Sequence, residues 1–253
     1  RRRLTVATLL LALHGCAKPP AADETTANSD RAPTVATHSP QADTLRSATC
    51  AHETPSLDDG RVRERLDAER VARSDPLRPP QRDGGTLVLT LENDHRLVFI
   101  DCASDDESAR QYWYEGLDQT GQGHVVRVYY YEASEVLWVH AASGHVESLA
   151  SVPVFAPDGL HFAIANADLE AGYTDNVFAI YRVTAQGAEQ VFRDASDGEW
   201  GASSPVWHSA ASVSYTRLDR TEVPGETPSR DVRVTNEAGR WRVTDGGTSS
   251  PPR

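Results

Sequence analysis

Lysine is almost missing from this 253-residue chain: Lys18 is the only one among 25 Lys and Arg residues. That removes whole classes of chemistry. A P-loop needs a lysine on its phosphates and a protein kinase needs one on a strand. Schiff-base enzymes and Ser-x-x-Lys acyl-enzymes need one as well. Gly-x-Ser-x-Gly, His-Glu-x-x-His and Gly-x-Gly-x-x-Gly are also absent. Positive charge is scarce overall. A formal net charge of -12 and a pI near 5.2 argue against nucleic acid, because neutralising phosphates takes clustered Lys and Arg. They also disfavour direct docking on anionic lipid heads. Methionine does not occur, so either the initiator is missing or the start lies upstream. No long hydrophobic run compensates. The apolar stretch from Leu4 to Leu13 is about ten residues, roughly 15 Å as a helix and half of what a bilayer core requires.

What is present begins with that stretch. Arg1, Arg2 and Arg3 precede it, and small residues follow it, the parts of an export signal. It ends in Leu13-His14-Gly15-Cys16-Ala17, which resembles the lipobox of bacterial lipoproteins, with His14 a less usual residue at the tolerant middle position. The resemblance implies a signal peptide over 1–15, diacylglycerol on the Cys16 thiol, cleavage between Gly15 and Cys16, and acylation of the new N-terminus. Each buried methylene contributes about 0.8 kcal/mol, so several chains hold a protein firmly where one holds it marginally. Ala17, rather than Asp, resembles lipoproteins sent to the outer membrane, facing the periplasm. The alternative is an ordinary secretory signal with a coincident cysteine. Residues 16–49 are rich in Ala, Pro and Thr with almost no large apolar side chain, a composition that cannot offset its ordering entropy and predicts a disordered tether.

About two hundred residues remain, enough for one domain over 50–245, followed by a disordered tail at 246–253. Cys50 and Cys102 are the two other cysteines. In an exported chain they are expected to pair, closing a loop of about fifty residues and stabilising by roughly 4 kcal/mol on the chain-entropy model. Two free thiols or a partial metal site are the alternatives. The stretch 57–73 places Val62, Leu66 and Val71 on a rough helical stripe and predicts one short helix stopped by Pro76, Pro79 and Pro80. After Gly85 the pattern becomes short alternating strands every eight to twelve residues with Gly, Asp and Asn between them, which predicts an all-β domain.

Within it, "PVFAPDGLHFAIAN" at 153–166 lines up with "PVWHSAASVSYTR" at 205–217, about fifty residues on. Phe155-Ala156-Pro157-Asp158-Gly159 resembles the WD40-like repeats of periplasmic β-propellers, with Ala156 in place of their Ser and no Asp-Gly in the second copy. The resemblance covers two segments and implies a propeller-like repeat of antiparallel strands. A β-sandwich or barrel is the alternative.

Three groups of residues carry candidate chemistry. Asp168, Glu170 and Asp175 lie in the loop "NADLEAGYTDN", whose oxygens could ligate a hard cation such as calcium, or simply satisfy their own backbone. On the strand 125–132, alternation puts Val126, Val128 and Tyr130 on one face and Arg127, Tyr129 and Tyr131 on the other, which makes the second set a candidate binding strip. His124, His140, His145, His161 and His208 could join Ser and Asp only through tertiary contacts. The expectation is a lipid-anchored envelope protein, held in the membrane through its N-terminal lipid, that binds or scaffolds an envelope protein or glycan without catalysis. A hydrolase of an envelope polymer is the alternative, and a calcium-dependent module the third.

Overall fold

Fifteen strands follow one helix in a computed structural model that describes residues 59–102, 108–222 and 227–245. The expected signal, tether and tail, with Cys16 and Cys50, lie outside the described residues, and so does the expected Cys50–Cys102 pairing. The strands form four consecutive antiparallel sheets. The first contains β1 (Gln81–Asp83), β2 (Thr86–Thr90) and β3 (Arg96–Ile100). The second contains β4 (Gln111–Leu117), β5 (Gly123–Tyr129), β6 (Ser134–His140) and β7 (Val146–Leu149). The third contains β8 (Val154–Phe155), β9 (His161–Asn166), β10 (Asn176–Thr184) and β11 (Gly187–Ser196). The fourth contains β12 (Trp200–Ser209), β13 (Ser212–Asp219), β14 (Ser229–Glu237) and β15 (Arg240–Asp245). In every sheet each strand pairs with its sequence neighbour. The domain is therefore all-β with one short helix, as its spacing of strands and turns predicts.

The sheets bury one another in sequence order. Leu87, Leu89, Leu97 and Phe99 of the first sheet meet Tyr112, Tyr114, Val126 and Val128 of the second. The opposite face of the second sheet, with Val125, Val136, Trp138 and Leu149, packs on Phe155, Phe162 and Ile164 of the third. The other face of the third, with Ala163, Phe178 and Ile180, packs on Trp200, Val213, Tyr215 and Val232 of the fourth. The two middle sheets are thus covered on both sides, and alternation disappears where burial is complete. Val136 to His140 and Asn176 to Tyr181 are buried at every position. The two segments that align in sequence are equivalent here: Phe155 and Trp207 sit on the first strands of the third and fourth sheets, each followed by a turn and the second strand. The Trp207 Nε1–H donates to the Val154 carbonyl at 2.8 Å, which ties one copy to the other.

Polar contacts join neighbouring sheets at their turns. Asp118 is buried, and its carboxylate accepts the Trp138 indole N–H at 2.8 Å and the backbone N–H groups of Thr120 and Gly121 at 2.8 Å. In the same turn Gln122 donates to the Gly159 carbonyl (2.8 Å) and Gln119 to the Phe155 carbonyl (3.1 Å), which fixes the third sheet against the second.

The helix α1 (Asp59–Val71) forms where the sequence places it, but docks by a different face. Leu66 is 41% exposed and Val71 84% exposed, so the expected apolar stripe does not point inward. Arg65 and Glu69 do. Arg65 and Asp101 form an ion pair of 2.5 Å with both side chains shielded from water, and Arg65 also donates to the Gly84 carbonyl. Glu69 pairs with Arg82. These groups occupy the open edge of β4: Asp101 accepts the Tyr112 N–H (2.9 Å), Glu69 accepts the Tyr114 N–H (3.1 Å), and Arg82 donates to the Tyr112 carbonyl (2.5 Å). Just past the helix, the Arg73 carbonyl accepts the Leu117 N–H at 2.6 Å. Gly116, at φ +121°, lets that segment approach, since a Cβ there would stand 2.9 Å from the Arg73 oxygen. Side chains and a turn of backbone stand in for the missing neighbour strand.

Burial pushes the Asp101 carboxyl above the usual range, against the Tyr112 N–H and the charge of Arg65. Removing its counter-charge should therefore be costly. The Arg65→Ala variant is expected to lose about 3 kcal/mol, a fall in Tm on the order of 6–12 °C by calorimetry. Arg70→Ala, which breaks the exposed Arg70–Asp67 pair, should change stability by less than about 0.5 kcal/mol.

Candidate functional site

Because strands alternate in direction, the turns of each sheet collect at two ends. At one end of the second and third sheets the connections are tied together, as in 118–122 and 156–160. At the other end lie 130–133, 150–153 and the nine-residue loop 167–175. Between these last connections runs a groove of two adjoining lobes, about 270 Å³ and 480 Å³, which share Ala133, Ser134, Ala150, Tyr173 and Thr174. Clefts that hold ligands span roughly 300–1,000 Å³.

The groove brings together residues from the candidate strip and the candidate cation loop, which are far apart in sequence. Arg127 lines it and is held by Glu115, with Nη2 to Oε2 at 3.2 Å. Tyr129 is half-buried and stands edge-on to Trp113, ring centres 4.9 Å apart, so it supports the strand. Tyr131 falls in the turn after β5 and is 63% exposed. Asp168 and Asp175 line the groove, and Glu170 projects to solvent in the same loop.

The Asp168 carboxylate organises the loop. It accepts the backbone N–H groups of Ala171 (3.1 Å), Gly172 (2.9 Å), Tyr173 (2.7 Å) and Thr174 (2.9 Å) and the Thr174 hydroxyl (3.2 Å). Partial desolvation works to raise its pKa, but those donors, led by Thr174 and Gly172, hold the carboxyl below its usual range. Asn166 and Asn176 close the loop from the strand ends, Asn166 donating to the Asp175 carbonyl and Asn176 to the Asp168 carbonyl. Asp175 itself pairs with Arg193 at 2.7 Å. The carboxylates of Asp168 and Asp175 are therefore engaged as hydrogen-bond acceptors, Glu170 stands apart in solvent, and among the described residues no group of three or more His, Cys, Asp or Glu is arranged to hold a metal ion.

Several residues of the groove escape sequence reasoning. Tyr173 is 56% exposed in the middle of the polar loop, and the neighbouring Glu132 carboxylate raises its phenol pKa. Glu135 accepts from the Tyr130 hydroxyl and, at 2.5 Å, from Ser148. Burial raises the Tyr130 phenol, and Glu135 adds to the shift. An aromatic residue amid Gly, Thr and Asp, as in Gly172-Tyr173-Thr174-Asp175, was the one local signal available.

A second cavity, about 190 Å³, lies at the opposite end beside Arg73, Asp75, Glu92 and His124. The His124 ring is buried and its Nδ1 lies 3.2 Å from the Tyr114 hydroxyl; burial lowers its pKa, so the ring stays neutral further into acid. Serine meets histidine twice elsewhere. Ser143 lies 2.8 Å from His140 Nδ1 while its hydroxyl also donates to the Gln186 carbonyl, and Ser214 lies 2.8 Å from the exposed His208. Among the described residues, carboxylates approach only His145 and His161, so neither pair has the third member that a triad requires. Cys102 is buried in a bridge to Arg110, and Cys16 lies outside the described residues.

No protein-family model matches the chain, and no curated protein matches it either.

Because the folded-state pKa of Asp168 is depressed, its contribution to stability is present above the ordinary carboxylate pKa, about 4, and is lost as pH falls through the lower folded value. Asp168→Asn should melt below wild type at pH 7, and the gap should narrow as pH falls below the ordinary carboxylate pKa of about 4. Thermal melts of both proteins across pH 2–7 check this, and a constant gap over that range would contradict it.

Proposed function

We propose that the chain is a lipid-anchored protein of the bacterial envelope whose all-β domain, propeller-like in its repetition, binds or scaffolds another envelope component in the groove between the second and third sheets. The observation that carries the binding reading is the groove itself: a concave surface between connections, lined by the exposed ring of Tyr173. Large aromatic side chains in the open contribute little to folding and much to an interface. The two Ser–His pairs without carboxylates favour binding over hydrolysis. The propeller-like reading is supported by the equivalent first hairpins of the third and fourth sheets and by consecutive face-to-face packing.

Anchoring rests on Leu13-His14-Gly15-Cys16, and Ala17 favours the outer membrane. A single substitution tests it. Cys16→Ser should move the protein from the membrane fraction to the soluble one, and unchanged membrane retention would refute the anchor. For the binding site, a photo-crosslinking residue at position 173 in the intact envelope should give a discrete product that the same residue at the exposed position 206, on β12, does not. Identical products from both positions would remove the groove from the proposal.

A further inference from the structure

The charges along the groove narrow its ligand, given the binding reading above. Two arginines line it, and both are committed: Arg127 to Glu115 through two hydrogen bonds and Arg193 to Asp175. The remaining carboxylates of the lining hold neutral donors. Glu132 stands by the Tyr173 phenol, Glu135 accepts the Tyr130 and Ser148 hydroxyls, and Asp168 accepts the N–H groups of its own loop. A hydroxyl or amide donor stabilises a carboxylate without cancelling its charge, so the field in the cleft stays negative, and low-dielectric walls focus it.

An aromatic ring adds a second, independent attraction for cations. The ring of Tyr173 is in the open beside Glu132, and ring quadrupoles draw guanidinium and ammonium groups by about 0.5–1 kcal/mol at exposed sites. An anionic ligand would meet Glu132, Glu135 and Asp168 with no uncommitted arginine among the lining residues. A single amine would fill only a small part of two lobes of about 270 Å³ and 480 Å³. An extended chain, advancing roughly 3.3 Å per residue with side chains to alternate sides, can place one cation beside Glu132 and another beside Glu135.

We propose that the groove takes an extended polypeptide segment of an envelope partner that carries arginine or lysine, with Glu132 and Glu135 as the charge-reading residues and Tyr173 as the stacking one. The partner is recognised by that chemistry.

The test uses the full chain and three fluorescent probes in anisotropy titrations at low salt: a peptide of alternating Arg and Ser, its alternating Glu and Ser counterpart, and a chitin oligosaccharide. The basic peptide should bind, and added salt should weaken it. Glu132→Gln with Glu135→Gln should lower its affinity about tenfold or more, and Tyr173→Ala by a similar factor. The charge-matched control, Glu199→Gln with Glu237→Gln, should leave it unchanged. Melting curves establish that each variant is folded. Equal affinity for the acidic peptide, failure of the basic peptide to bind, or indifference to Glu132 and Glu135 would each overturn the inference. If the oligosaccharide or acidic peptide binds instead and Tyr173→Ala weakens it, the ligand class is wrong and the groove stands. If Tyr173→Ala affects no probe, the groove reading falls as well.

Discussion

An antiparallel sheet with an unpaired edge must do something with the N–H and C=O groups along it, and β4 meets that requirement with ionic side chains. Asp101 and Glu69 accept its amides, Arg82 donates to its carbonyl, and Arg65 balances Asp101 in a space closed to water. Each carboxylate therefore has two duties, as counter-ion and as strand mimic. Charges that would be costly to bury alone are tolerable because every one has a partner of opposite sign or a backbone group. The helix is held by this network, so its inward side is polar while Leu66 and Val71 are left in solvent.

With that edge closed, the remaining growth of the fold is in one direction, sheet upon sheet. Covering both faces of the middle sheets consumes almost every side chain on β6 and β10, which leaves recognition to the connections between strands. Those at one end are cross-linked by Gln119 and Gln122. Those at the other include the nine-residue loop 167–175, to which Asp168 gives a fixed shape by gathering four consecutive amides onto one carboxylate. The groove is the space left between connections that are each internally satisfied.

The strands were legible because alternation and Gly-Asp-Asn punctuation are local. The sequence similarity of 153–166 and 205–217 also survives in the structure, where both are first hairpins. The helix was legible in place and misread in orientation: Val62, Leu66 and Val71 follow helical spacing, but the partners of Arg65 and Glu69 lie at Asp101 and Arg82, and periodicity carries no information about charges that distant. At the groove, Arg127, Asp168 and Asp175 could be singled out by residue type. Their convergence could not, because it depends on how the second sheet stacks on the third. Asp168 has the composition of a cation ligand and the geometry of a loop organiser, a distinction made only by the amides that point at it. Tyr129 has the composition of a binding residue and the position of a structural one, with Trp113 against its ring.

The way the helix is fastened also sets how the domain responds to tension. Load along the helix reaches the rim of the second sheet at three points, through Arg65 and its partner Asp101, through Glu69 and through the Arg73 carbonyl. One ion pair and the backbone amides of β4 share it, so no single contact carries the helix alone.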